Sequence, residues 1–188
     1  LEASEDRTWF VPAGYVAKSG SAIAYLYRNE NRLSASRFVA LQDLHRIAIS
    51  ESDGVVILDD YLGSGQQARL LWESLPSLKL PDRIPCPVVF ATLVGERAGI
   101  ALVTADTEMR VVVGHELTEA DWPLSEHSAV YNSATTRGHA EAVLRRYGER
   151  LFPAHPLGFR NSQALLGFFY STPTTTLPIF WSSESGWK

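Results

Sequence analysis

Cysteine is almost missing from this chain. Cys86 is the only one among 188 residues, which excludes an internal disulfide and fits a reducing, cytoplasmic setting. Basic residues show no excess: 17 Lys and Arg stand against 21 Asp and Glu, for a net charge of −4. Non-specific DNA binding needs a cationic face, so no general nucleic-acid binding is expected. Long hydrophobic runs are lacking as well. Residues 164–181 form the most apolar stretch, about the length of a membrane span, but Ser171, two prolines and four threonines interrupt it. No membrane partner is expected. The five histidines, at 45, 115, 127, 139 and 155, show no metal-ligand spacing, and Cys86 has no Cys or His nearby. A zinc site is therefore not expected. The first seven residues are polar and acidic, without the basic and apolar regions of a signal peptide. The chain has no initiator Met and stops at Gly186-Trp187-Lys188, so it is expected to be a piece of a longer protein with other domains or partner proteins.

What is present is ordinary for a globular chain: 45% apolar and 20% charged residues, close to the average composition. A chain of this length buries roughly 70% of its unfolded surface and needs no staple. One domain over residues 1–188 is expected, since nothing marks a boundary. Apolar runs bounded by turn residues alternate with helical patterns. That predicts an α/β fold, a central, mostly parallel sheet flanked by helices. Near the start, Phe10-Val11 lead into Pro12-Ala13-Gly14, and Lys18-Ser19-Gly20-Ser21 precede a helix over 22–27. Ser34 or Ser36 caps a short amphipathic helix through Arg46, with Phe38, Leu41 and Leu44 as its buried face. A strand is predicted over 88–94, a helix over 96–102 and a strand over 109–113. The best helix begins near Thr136, with Ala140, Val143, Leu144, Tyr147 and Leu151 on its apolar face. Arg145, Arg146 and Arg150 read as its solvated face. A strand-like run over 164–170 follows, and Phe168, Phe169, Tyr170, Phe180 and Trp181 read as core. Cys86, between two prolines, reads as a packed loop residue.

The chemistry concentrates after the run Val55-Val56-Ile57-Leu58, a β-branched-rich segment typical of a strand buried on both faces. It ends in Asp59-Asp60, followed by Tyr61-Leu62-Gly63-Ser64-Gly65 and a helix over 66–74 that closes before Pro76. In open α/β sheets, ligands bind outside the carboxyl ends of the strands. Two adjacent carboxylates there can accept hydrogen bonds from a ribose diol or hold Mg²⁺ through water. Loop amides and the positive end of the next helix make a nest for a phosphate. Gly63 and Gly65 let the backbone approach closely, and the Ser64 hydroxyl can donate to a phosphate oxygen. Diol reader and phosphate cradle thus lie about one ribose 5-phosphate apart. The bland alternative is a plain strand-turn-helix.

Residues 55–67 resemble the signature of the type I phosphoribosyltransferases: four apolar residues, two acids, three variable positions, Thr or Ser, Gly, any residue, Thr. Twelve of the thirteen positions fit, Gln67 replacing the last Thr. The resemblance implies that Asp59 and Asp60 bind the ribose hydroxyls of phosphoribosyl pyrophosphate, with Mg²⁺, and that Gly63, Ser64, Gly65, Gln66 and Gln67 wrap the 5-phosphate. Lys18-Ser19-Gly20-Ser21 looks like the family's upstream loop, which grips the pyrophosphate; a simple helix cap is the equal alternative. On that resemblance Lys18, with Asp59 and Asp60, is a catalytic candidate, and Ser19 and Gly20 are substrate-binding ones. Residues 28–33 sit where the flexible catalytic loop of the family falls.

A narrower resemblance joins residues 59–67 to the closing Thr172-Pro173-Thr174-Thr175-Thr176-Leu177-Pro178-Ile179-Phe180-Trp181. Together they are similar to phosphoribosyltransferase-like domains proposed as effectors in prokaryotic conflict and anti-phage systems, which carry Asn at the positions of Thr174 and Thr175. The expected function is Mg²⁺-dependent binding of phosphoribosyl pyrophosphate or a nucleotide, with phosphoribosyl transfer or cleavage at ribose C1. The alternative is a non-catalytic, nucleotide-sensing or partner-binding module of the same fold, favoured by Gln67 and by the absence of any legible base-recognition hood.

Overall fold

Side chains branched at Cβ fit a pleated backbone better than a helix, and three of them crowd residues 55–57. They form the centre of strand β2, Gly54–Leu62. In the computed structural model, which describes residues 7–14, 19–75 and 84–184, β2 pairs with β1, Thr8–Pro12, and with β3, Val88–Glu96. Strand β4, Arg110–Leu117, completes a four-stranded, all-parallel sheet in the order β1-β2-β3-β4. Parallel neighbours need crossovers. Helices α1, Ser19–Glu30, α2, Gln66–Ser74, and α3, Arg97–Asp106, supply them.

Successive strand residues point to opposite faces. Val11, Ile57 and Phe90 stand in one row across three strands, at 0%, 1% and 1% exposure. Ala68 and Leu71 of α2 and Ile100 and Val103 of α3 pack on this side. Helix α1 covers the other face, where Phe10 meets the Tyr27 ring at 5.5 Å and Ile23 and Ala24 are buried.

The chain groups into two compact units, Leu1–Glu116 and Leu117–Lys188. In the second, helix α4, Ala134–Leu151, is capped by Ser133, whose Oγ accepts the Thr136 N–H. Leu144, Leu157 and Leu177 form its small core, with Leu124 and Ile179 against them.

Four expectations need correction. The helix expected after Ser34 is two short 3-10 turns, Ala35–Arg37 and Leu41–Arg46. Between them Phe38 bridges Phe10 and stacks on its ring at 4.9 Å, while the Val39 N–H donates to the Phe10 carbonyl; pairing at the strand edge outweighs helix periodicity. Val143 is 54% exposed, because the buried positions of α4 are Leu144, Gly148 and Leu151. The run over 164–170 is not a strand: Ala164 alone makes an isolated bridge, to Thr176, and Phe168 and Ser171 bond each other in a turn. Phe169 and Phe180, expected inside, are 87% and 60% exposed.

Candidate functional site

Strand β2 does not stop at Leu58. It runs through both acids to Leu62, so Asp59 and Asp60 are held at fixed pleat positions near its carboxyl end. Asp60 is buried at 6% exposure. The Asp59 carboxylate oxygen Oδ1 accepts the Asp60 N–H at 2.9 Å and the Ser19 hydroxyl at 3.2 Å. Burial, and then the neighbouring Asp60 charge, push the Asp59 carboxyl up to about 7. A carboxyl in that range exchanges its proton near neutrality, donating a hydrogen bond when protonated and accepting when ionised.

The residues expected to form an upstream loop are the first turn of α1, which begins at Ser19. The approach of this turn explains Gly20. A Cβ there would lie 2.4 Å from the Ala13 carbonyl oxygen and 3.0 Å from that of Leu58. Only glycine lets the helix start come down beside the end of β2 and bring Ser19 to Asp59. Lys18 lies outside the described residues.

Beyond β2, Gly65 is the N-cap of α2 in a left-handed conformation, φ 78°, with no side-chain cap. The first N–H groups of a helix have no intrahelical acceptor; at α4 a serine takes one of them, whereas α2 begins on a bare glycine. Ser64 and Gln67 are exposed, and Gln66 accepts from Arg69 at 3.1 Å. The glycines also pack on one another. A Cβ on Gly99, in the first turn of α3, would lie 1.9 Å from the Gly63 carbonyl oxygen, and one on Gly65 would lie 2.8 Å from that of Gly99.

Sequence reasoning missed Gly99, and it missed a pair beside the loop. The Tyr61 hydroxyl donates to the Glu96 carboxylate, linking the ends of β2 and β3, and the Tyr61 ring lies against Gly63. Tyr61 follows Asp59 by two positions and so shares its face, a signal available in the sequence. An isolated glycine inside the helical pattern after residue 96 was the corresponding signal for Gly99.

The sequence matches the PRTase-CE family over residues 1–188. The chain belongs to this family. PRTase-CE is a phosphoribosyltransferase-type family, so the parallel sheet with an acid pair at the end of β2 and a glycine loop entering α2 is its phosphoribosyltransferase-type domain. No curated protein matches the sequence. In this PRTase-CE chain the structure brings Ser19 to Asp59, whose carboxylate also accepts the Asp60 N–H, while residues 63–67 follow the acid pair in sequence beyond β2. Among the described residues no helix is long and apolar enough to cross a membrane.

Proposed function

We propose that this PRTase-CE domain binds phosphoribosyl pyrophosphate or a nucleotide together with Mg²⁺ and makes or breaks the bond at ribose C1. The observation that carries the reading is the convergence of three backbone devices at one strand end. They are the Asp59-Asp60 pair, the start of α1 at Ser19 and the uncapped start of α2 after Gly65. Asp59 and Asp60 hold the ribose hydroxyls. The N–H groups at the start of α2, with the Ser64 hydroxyl, take the 5-phosphate. Ser19 and Gly20 take the pyrophosphate, and the family resemblance of residues 18–21 gives Lys18 the same task.

Among the described residues no three His, Cys, Asp or Glu side chains cluster as a metal cage. Two adjacent carboxylates still suit Mg²⁺, which takes one or two of them and completes its shell with water and substrate oxygens. When bound, it supplies charge neutralisation for the leaving pyrophosphate. The chain's own part is positioning: with the ribose and phosphate fixed, the electron pair of the C1–O bond leaves with pyrophosphate and an acceptor enters at C1. The narrower resemblance of residues 59–67 and 172–181 supports a role as a defence effector.

Calorimetric titration with phosphoribosyl pyrophosphate, with and without Mg²⁺, tests this directly when followed by product analysis. Magnesium-dependent binding with release of pyrophosphate is expected. Gln67, where the signature has Thr, favours a second reading, a nucleotide sensor; binding without turnover would select it.

A further inference from the structure

The closing segment, residues 172–181, supplies none of the groups placed in the site above. Its backbone instead clasps residues 158–164. The Thr174 and Thr175 carbonyls accept the Phe159 and Ala164 N–H groups at 2.9 and 3.2 Å. The Ser162 hydroxyl donates to the Thr175 carbonyl at 2.6 Å. Held this way, Gly158, Arg160, Asn161 and Gln163 all take positive φ, at 87°, 57°, 59° and 58°.

Gly158 is glycine by necessity, since a Cβ would lie 2.2 Å from the Thr175 carbonyl oxygen. Glycine would also adopt the other three conformations at less cost, yet Arg, Asn and Gln stand there. Among the described residues none of their side chains makes a hydrogen bond or an ion pair. Side chains kept in a strained backbone without an internal hydrogen bond or ion pair point to a task outside the chain.

Their surroundings define the task. The Phe159 ring, 41% exposed, ends a braced aromatic row. It meets His155 edge-on at 4.8 Å, His155 meets Phe152 at 5.2 Å and Phe152 meets Trp181 at 5.4 Å. Trp181 is itself fixed by donating from Nε1 to the Thr176 carbonyl at 2.8 Å. The Arg160 guanidinium sits 5.5 Å from the Phe159 centroid, and its backbone N–H donates to His155 Nδ1. The Asn161 carboxamide beside it is exposed. A rigid exposed ring stacks a base, a free carboxamide pairs with a base edge, and a guanidinium binds phosphate.

We propose that Phe159, Arg160 and Asn161 form a second, nucleotide-binding site. The base stacks at Phe159, its edge pairs with Asn161 and its phosphate binds Arg160. Residues 117–188 carry six basic and six acidic side chains, so the acidic excess of the chain lies elsewhere and does not oppose an anion here. A free nucleotide and the unpaired end of a strand present the same chemistry. The proposal uses residues other than the acid pair and stands without it.

The test uses the full chain carrying Asp60→Asn, a substitution chosen to disable the acid pair of the proposed site. AMP is measured by calorimetry and a short fluorescein-labelled oligo(dA) by anisotropy, alongside the melting temperature. Adding Arg160→Gly is expected to leave the melting temperature equal or higher, because strain is relieved, and to weaken binding about tenfold or more. Binding of AMP assigns the free nucleotide; binding of oligo(dA) with AMP silent assigns the strand. Unchanged affinity in the Arg160→Gly variant, a lowered melting temperature, or binding of neither probe overturns the proposal.

Discussion

Ser19 and Asp59, forty residues apart in sequence, are joined by a hydrogen bond in which the serine hydroxyl donates to Oδ1 at 3.2 Å. The bond ties the first turn of α1 to the acid pair at the end of β2. Both groups belong to the proposed ribose and pyrophosphate site, so the bond fixes one part of it against another before any ligand arrives.

Ser19→Ala tests that tie. Losing one hydrogen bond to a carboxylate costs about 1–3 kcal/mol when the acceptor stays buried. The Ser19 bond also holds the Asp59 carboxyl lower than burial alone would, so its proton should leave at higher pH in the variant. Titration of the Asp59 carboxyl by carbon-detected NMR would show the upward move; an unshifted midpoint would mean that the hydroxyl spends its time elsewhere.

Asp59 also fixes the sign of a pH dependence. Its ordinary value of 3.8 is raised to about 7 in the fold, first by burial and then by the Asp60 charge. Between these values the folded chain keeps a proton that the unfolded chain has lost. The stability it contributes is full below pH 3.8 and is lost as pH rises through about 7. Asp59→Asn, uncharged throughout, should flatten that decline and be the more stable protein above neutrality, by on the order of a few kcal/mol. Parallel denaturation profiles for the two proteins across this window would refute the buried, raised carboxyl.

The two glycines of α4 that flank its middle should respond in opposite directions. Gly138 has nothing within 4 Å of an added Cβ, while at Gly148 a Cβ would lie 1.8 Å from the Pro156 carbonyl oxygen. Gly138→Ala should stabilise by roughly 0.5–1 kcal/mol through helix propensity. Gly148→Ala must push the 152–157 segment away and should cost about 1–3 kcal/mol. Urea denaturation of both variants decides it, and equal effects would contradict this packing.

Much of the first unit was legible because its signals are local. The β-branched run announced β2, and Gly65 and the stop before Pro76 bounded α2 at the residues observed, Gln66–Ser74. The acid pair and glycine loop were legible as a motif. The Ser19–Asp59 bond, the Tyr61–Glu96 pair and the seat of Gly99 were not, because each depends on which strand ends and helix turns the sheet places side by side. The same non-local reason undid the helix through Phe38, where the partner strand's Phe10 supplied a ring and a carbonyl that local periodicity does not show. In the closing segment, apolar content suggested strand and core, but turns and backbone clasps decide the outcome there.

The phosphate cradle calls for a variant that leaves the loop's shape alone. Gly65 cannot serve, since its φ of 78° and its seat against Gly99 make any side chain there disruptive whether or not a phosphate binds. Gly99→Ala is the control for shape. Its Cβ would meet the Gly63 carbonyl oxygen at 1.9 Å, so it should lower both the melting temperature and the affinity for phosphoribosyl pyrophosphate. Ser64 is exposed, and Ser64→Ala removes one hydroxyl while leaving the backbone free to keep its path. If the hydroxyl donates to the 5-phosphate, Ser64→Ala should weaken binding by about 1.5–3 kcal/mol, as expected for a hydrogen bond to a charged group, with the melting temperature unchanged. Calorimetry on both variants separates the effects. Affinity intact in Ser64→Ala yet lost in Gly99→Ala would leave only the backbone amides at the start of α2 to hold the phosphate. Affinity intact in both would remove the anion from this loop altogether.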